Sequence, residues 1–103
     1  DHRITGLVTV DAVYPTARDR MNFPEQLQNG ITPHKVRELY LWGSNEPNID
    51  INVSAVITNK INALLAHSSQ FGDRDDFGEL VSERWRDKDG RYLERFRRVV
   101  LFR

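Results

Sequence analysis

Two strand-like segments followed directly by a helical one, in the middle of the chain, restrict the fold more than any other feature. Residues 36–42 end in a nearly continuous apolar run, LYLW, which predicts a strand buried on both faces. Residues 49–53, IDINV, alternate strictly, which predicts a strand with one wet face or an edge position. After Ser54, predicted to be an N-cap, comes a helix ending at Gly72, with an inner stripe of Ile57, Ile61, Leu64, Leu65 and Ser68.

Helical patterns also precede these strands. Residues 1–14 repeat their apolar side chains at helical spacing, and Pro15 disfavours helical geometry in the residue before it, so the helix should end near Tyr14. Residues 23–27 predict a short helix with Pro24 early and Gly30 soon after its end.

The remaining segments complete an α/β pattern. Residues 73–87 predict a second amphipathic helix, Asp89-Gly90 a turn and residues 96–102 a final strand. The inward side chains of that helix should be Phe77, Leu80, Val81 and Trp85. The order of elements predicts an α/β fold without internal repeats.

Composition excludes some classes of partner and site. The 103 residues contain 15 Lys+Arg and 15 Asp+Glu, so net charge gives no argument for a nucleic-acid or anionic-membrane partner. The absence of Cys excludes disulfides and thiolate metal sites, and it fits a reducing compartment; we expect a cytoplasmic location. No apolar run reaches the length of a membrane span.

The first two residues are the strongest candidates for chemistry. Asp1 and His2 stand at the predicted start of the first helix, where the macrodipole favours a carboxylate and the first turn holds an imidazole rigidly. Because the chain opens without Met on a helix, we expect it to begin inside a longer protein. A hydrolytic zinc site needs about three protein ligands, and no His-Glu-x-x-His motif is present. Any metal site here must therefore take further ligands from elsewhere.

Several ordered motifs resemble the LmbE/PIG-L family of zinc-dependent de-N-acetylases. They are Asp1-His2-Arg3-x-x-Gly6, residues 11–19 (DAVYPxARD), 23–25 (FPE), 33–38 (PHKVRE), 40–43 (YLWG), Pro47 and 60–70 (KxxALxAHxSQ). They cover about two-thirds of the chain, and the resemblance weakens after Gly72.

The resemblance implies a Rossmann-like three-layer α/β/α fold, with residues 1–103 as the C-terminal portion of a single deacetylase domain. It implies hydrolysis of an N-acetyl group, often on an N-acetylglucosamine unit, with Zn²⁺ as cofactor. Asp1-His2 matches the second half of the family's His-Pro-Asp-His motif, so His2 is implied as a zinc ligand and Asp1 as the acid that positions imidazoles around the metal. The general base and the other ligands are implied to lie outside this chain, which alone carries an incomplete site.

Arg18 and His67 are the substrate-binding candidates. Arg18 is a candidate for contact with a substrate hydroxyl or phosphate, with Asp19 orienting it; a surface ion pair is equally compatible with the sequence. His67 matches a family motif, but a His in a last helical turn is commonly structural, and we favour that interpretation. We expect His34 to be a surface or packing residue, and Tyr40 and Trp42 to be core residues.

The C-terminal segment alternates basic and aromatic residues, a pattern found in proteins that bind single-stranded nucleic acid. Acidic residues are interspersed, so we favour a solvated helix face and an outer strand over a nucleic-acid surface. The arginines are Arg84, Arg86, Arg91, Arg95, Arg97 and Arg98.

The resemblance thus implies part of a zinc-dependent N-deacetylase that acts on a small N-acetylated sugar, and we expect no nucleic-acid partner and no membrane span. The alternative is a non-catalytic α/β module that serves assembly or ligand binding. The substrate and the formation of homo-oligomers stay open. We expect the 103 residues on their own to be marginally stable or to aggregate, because missing neighbours would expose strand edges and apolar surface.

Overall fold

The computed structural model describes residues 1–72 and 74–102. In chain order the elements are α1 (His2–Asp11), α2 (Pro24–Gln28), β1 (Glu38–Trp42), β2 (Ile49–Asn52), α3 (Ile57–Leu65), α4 (Ser68–Phe71), α5 (Phe77–Trp85) and β3 (Leu93–Val100). This mixture confirms the α/β class. None of the described helices has the length and apolar character to cross a bilayer.

The chain divides into two compact units. Unit 1 contains Asp1–Leu41 and the chain from Arg97 onward, and unit 2 contains Trp42–Phe96. Each unit therefore receives one half of β3.

The three described strands form a sheet in the order β1-β3-β2. In unit 2, β2 pairs antiparallel with β3, from Ile49 opposite Phe96 to Asn52 opposite Leu93. In unit 1, the Leu101 amide just after β3 donates to the Arg37 carbonyl just before β1 (2.8 Å), so this pair is also antiparallel. The edge position predicted for residues 49–53 is confirmed. An antiparallel three-stranded sheet does not by itself display the parallel strands of a Rossmann-like three-layer fold.

The prediction that residues 39–42 are buried on both faces is wrong. The side chains of Tyr40 and Trp42 are 40% and 64% exposed, so neither is a core residue. The physical reason is the strand order, because β1 is an outer strand of a small sheet rather than a central strand between helical layers.

The first helix ends close to where Pro15 predicts. After α1 the chain continues as an irregular helical turn over Ala12–Thr16, in which Tyr14 is extended (φ −155°, ψ 128°) and the Tyr14–Pro15 peptide bond is cis. The short helix predicted around Pro24 is confirmed as α2, and Gly30 follows it at φ 77°.

Ser54 is not the N-cap of the long helix. Residues Ser54–Val56 form a 3₁₀ turn, and Val56 precedes α3. The Ser54 hydroxyl oxygen instead accepts a hydrogen bond from the Tyr92 amide (2.8 Å). The predicted helix also breaks after Leu65, and only its last part, α4, ends at Gly72 (φ 54°).

The core of the described residues lies in unit 2. Phe77 and Val81, four residues apart on α5, are 3% and 0% exposed, and the Phe71 ring packs edge-on against Phe77 with centroids 5.1 Å apart. Leu80 and Trp85 are half-buried, so all four predicted inward residues are shielded. Asp73, where this helix was predicted to begin, lies outside the described residues.

The last strand begins earlier than the sequence pattern predicts. β3 starts at Leu93 rather than Phe96, because the segment from Leu93 to Arg95 forms the ladder with β2.

Candidate metal and substrate site

His2 is the first residue of α1, as the sequence predicts. The Asp1 carbonyl oxygen accepts the Thr5 amide (2.9 Å), which closes the first helical turn around His2. Within the described part of the chain, the Asp1 carboxylate forms no capping hydrogen bond to α1. Both side chains are exposed. The structure therefore places an exposed carboxylate and an exposed imidazole on consecutive residues at the start of α1.

These two side chains are of the types that bind zinc, which uses imidazole nitrogen and carboxylate oxygen alongside thiolate. Among residues 1–72 and 74–102, no three His, Asp or Glu side chains are close enough to hold a metal ion together. Asp1 and His2 thus fit a part of a zinc site. A tetrahedral site built on His2 would take its other ligands from elsewhere.

Arg18 is held by aromatic rings. Its guanidinium carbon lies 4.4 Å from the centroid of the Tyr14 ring and 5.8 Å from that of Phe102, distances at which cations are attracted to the ring face. In the described residues no ion pair joins Arg18 to Asp19. The Asp19 carboxylate instead accepts the Met21 amide (2.9 Å) and shapes the turn. A guanidinium stacked in this way keeps its N–H edges available to a ligand.

Unit 1 contains a cleft of about 270 Å³. Its lining includes Ala17 and Asp19, the sequence neighbours of Arg18. Its wall combines the polar side chains of Asp19, Asn22 and Gln26 with apolar ones such as Phe23 and Leu27. Phe23 adopts a left-handed backbone conformation (φ 54°), which is unusual for a bulky residue and turns the chain into α2. A lining that combines polar and apolar side chains suits a ligand with hydroxyl groups on an apolar ring.

His67 lies in the break between α3 and α4, not in the last turn of a long helix. Its amide donates to the Leu64 carbonyl (3.0 Å), and its carbonyl accepts the amides of Gln70 (2.9 Å) and Phe71 (3.1 Å). The backbone of His67 thus ends one helix and starts the next, and its side chain is exposed. His67 belongs to unit 2, whereas His2 and Arg18 belong to unit 1. Substrate contact by His67 stays a prediction.

His34, the third histidine, is exposed, and its amide donates to the Ala17 carbonyl (2.8 Å). This bond joins the segment after α2 to the turn that carries Arg18. The expectation of a surface position is confirmed.

Sequence reasoning missed the cleft and the rings around Arg18. Phe102 reaches Arg18 from the far end of the chain, and no local pattern indicates such a contact. The contact with the Tyr14 ring had no helical signal either, because Tyr14 is extended and Pro15 interrupts the helix before Arg18. For Phe23, the only signal was its position immediately before a proline.

A comparison with known proteins finds a deacetylase, the same class of enzyme that the motifs resemble. Diacetylchitobiose deacetylase of Thermococcus kodakarensis is 28% identical over 71 residues, which are 69% of this chain. The chain is similar to a deacetylase. The match covers 26% of the length of that enzyme, so the chain spans about a quarter of it. No protein-family profile and no solved structure matches the chain.

Proposed function

We propose that the chain is the C-terminal portion of an LmbE/PIG-L-like domain with a Rossmann-like three-layer architecture. This domain removes the N-acetyl group from an N-acetylglucosamine-type sugar or conjugate. The observation that carries the proposal is the 28% identity, over 69% of the chain, with a diacetylchitobiose deacetylase. The motif resemblance that begins at Asp1-His2 points to the same chemistry.

In this proposal His2 and Asp1 form one side of a zinc site. Zinc, when bound, supplies a Lewis acid that polarises the acetyl carbonyl and lowers the pKa of bound water. His2 would hold the metal through a ring nitrogen of its neutral imidazole, and the first turn of α1 would limit the positions that this nitrogen can take. Asp1 accepts a hydrogen bond from an imidazole N–H, which fixes the tautomer and the ring orientation.

Arg18 and the cleft lined by its sequence neighbours Ala17 and Asp19 supply contacts for the sugar. The contact with the Tyr14 ring restricts the guanidinium, so its N–H groups donate to a hydroxyl or carbonyl oxygen with a smaller loss of side-chain entropy. The polar groups of Asp19 and Asn22 can bind hydroxyls while Phe23 covers an apolar ring face. His67 is a further donor in the proposal, through the motif that it matches.

The test uses the full-length natural protein that contains these residues, with N,N′-diacetylchitobiose as substrate and release of free amine as the readout. Chelation should abolish activity, and added Zn²⁺ should restore it. His2→Ala should lower kcat/KM by about a hundredfold or more, because a metal ligand is lost. His34→Ala removes an exposed imidazole of unit 1 outside the proposed site and should leave kcat/KM within about twofold.

Activity that survives both chelation and His2→Ala would refute the zinc mechanism. If the folded protein binds diacetylchitobiose but releases no amine at any zinc concentration, the non-catalytic ligand-binding module is the better description.

A further inference from the structure

The basic C-terminal segment forms a second cleft, in unit 2. It has a volume of about 260 Å³ and lies where the end of α5 meets the beginning of β3. Three arginines line it, together with one carboxylate and two apolar side chains: Arg84, Arg86, Arg95, Asp87, Trp85 and Leu93. The proposed deacetylase chemistry uses none of these residues.

The single carboxylate of this cleft is already engaged. Asp87 Oδ1 accepts the amides of Asp89 (2.9 Å) and Arg91 (2.8 Å), and its Oδ2 accepts the Arg91 Nε (2.8 Å). Burial raises the pKa of Asp87, but these hydrogen bonds outweigh burial and hold the pKa below its ordinary value. Asp87 therefore stays ionised and is occupied with closing the turn. Because Arg91 forms an ion pair with Asp87 (2.8 Å), the carboxylate adds little net negative charge to the cleft.

The arginines themselves are poorly compensated. In the described part of the chain, no carboxylate lies within ion-pair distance of Arg84 or Arg86. The Arg84 guanidinium carbon lies 5.5 Å from the Trp85 ring centroid, which steadies it without cancelling its charge. Arg95 Nε lies 3.5 Å from Asp50 Oδ1, but both side chains are at least half exposed, so water and salt screen this pair.

The backbone brings these charges together. Arg86 leaves α5 in an extended conformation and pairs with Tyr92 in an isolated bridge, which sets the end of α5 beside the start of β3. The turn between them is closed by Asp87 and by Gly90 at φ 79°. The spacing of the arginines thus depends on a hydrogen-bonded turn and not only on mobile side chains.

We propose that this cleft binds the phosphate group of a small phosphomonoester. Three arginines line this space of about 260 Å³, which is large enough for a phosphate and part of the group attached to it, and a dianion gains more from guanidinium groups than a carboxylate does. The proposal concerns unit 2 alone and does not depend on the zinc chemistry of His2.

The test is a phosphate titration of the full-length natural protein that contains these residues, followed by NMR at low ionic strength. The probes are inorganic phosphate, glucose 6-phosphate and, as an uncharged control, glucose. We expect saturable shifts of the Nε–Hε signals of Arg84, Arg86 and Arg95 and of the Trp85 indole N–H. Tighter binding of glucose 6-phosphate than of inorganic phosphate would assign the cleft to an organic ester. Equal affinity for the two probes would assign the cleft to free phosphate.

Substitutions distinguish a specific phosphate site from general attraction to the positive charge of this segment. Arg86→Gln should weaken phosphate binding about tenfold, and Arg84→Gln should act in the same direction. Lys88→Gln removes one positive charge from the same turn at a residue that does not line the cleft, and it should change the affinity less than twofold. The Val81 methyl signals report whether each variant is folded.

Three results would overturn the proposal. The first is shifts that never saturate, and the second is an equal loss of affinity in Lys88→Gln and Arg86→Gln. The third is binding of a single-stranded oligonucleotide with a salt dependence of several charges, which Arg86→Gln barely changes, because that would make the basic segment a nucleic-acid surface.

Discussion

At the scale of single residues, a polar cluster connects the two strands of unit 1. Arg98 Nε donates to Glu38 Oε2 (3.0 Å), Arg98 also forms an ion pair with Glu38 Oε1, and the Tyr40 hydroxyl donates to Glu38 Oε2 (2.7 Å). The hydrogen bond from Arg98, followed by that from Tyr40, lowers the pKa of Glu38. The hydrogen bond to Glu38 raises the pKa of Tyr40.

The first prediction concerns the pH dependence of this cluster. Because the pKa of Glu38 is lowered in the folded state, its contribution to the free energy of unfolding is complete above the ordinary carboxyl pKa. It is lost as pH falls through the lowered pKa. Glu38→Gln should therefore lower the urea midpoint at neutral pH, and the gap to the wild type should close in acid. Tyr40 has the opposite sign: its contribution is lost as pH rises through its raised pKa.

The measurement is urea unfolding at a series of pH values. The control is Glu83→Gln, an exposed carboxylate on α5 with no ion-pair partner among residues 1–72 and 74–102. Its midpoint should stay near that of the wild type. A gap between Glu38→Gln and the wild type that is the same at every pH would mean that the cluster does not stabilise the fold through the charge of Glu38.

At the scale of elements, Ser54 shows that a side chain whose type predicts a local helix cap can instead bond to a residue far along the chain. Its type and position predict an N-cap, but its hydroxyl oxygen accepts the amide of Tyr92, next to β3. The Asn52 side chain then accepts the Ser54 amide (3.0 Å). The Tyr92 hydroxyl in turn lies 3.2 Å from the Ser82 hydroxyl on α5. The turn before α3 is thereby joined to the final strand and to α5.

The second prediction follows from this network. Ser54→Ala should lower the free energy of unfolding by about 1–3 kcal/mol, because the half-buried Tyr92 amide loses its acceptor. Ser69→Ala, at an exposed position of α4, should change it by less than about 0.5 kcal/mol. Hydrogen exchange locates the effect: the Tyr92 amide should lose protection in Ser54→Ala. Lost protection confined to the first amides of α3 would instead indicate a helix cap.

These cases also show what the sequence can predict. Local periodicity was sufficient for α5, whose buried Phe77 and Val81 are four residues apart, and for β2, whose alternation matches its edge position. The exposure of Trp42 could not be predicted, because it depends on the order of strands that are far apart in the chain. For the candidate site, the placement of His2 in a first turn was predictable, but the contact of Arg18 with Phe102 was not.

At the scale of the whole molecule, the buried residues among those described, Phe77 and Val81, both lie in unit 2. No described residue of unit 1 is buried, and α1 carries the apolar side chains of Ile4, Leu7 and Val8 at 60%, 53% and 60% exposure. Their spacing of three and four residues makes them a single stripe along the helix. An apolar stripe of this kind is usually covered by another surface.

The third prediction is that the 103-residue chain self-associates in solution. Its mass in sedimentation equilibrium should rise above 12.0 kDa with concentration. The double substitution Ile4→Asn and Val8→Asn should move the distribution towards the monomer, because it interrupts the α1 stripe. Thr58→Asn, at an exposed polar position of α3, should leave the distribution unchanged. A mass that stays at 12.0 kDa at every concentration would contradict this prediction.

The strand order also determines when the sheet can form. β1 and β2 leave the ribosome before β3, yet they are not paired with each other, and each has β3 as its neighbour in the sheet. Both ladders must therefore wait for Leu93–Val100, and closing them spans long loops that slow folding. Until then the nascent chain carries two unpaired strands with open hydrogen-bonding edges, which are prone to pair with other chains.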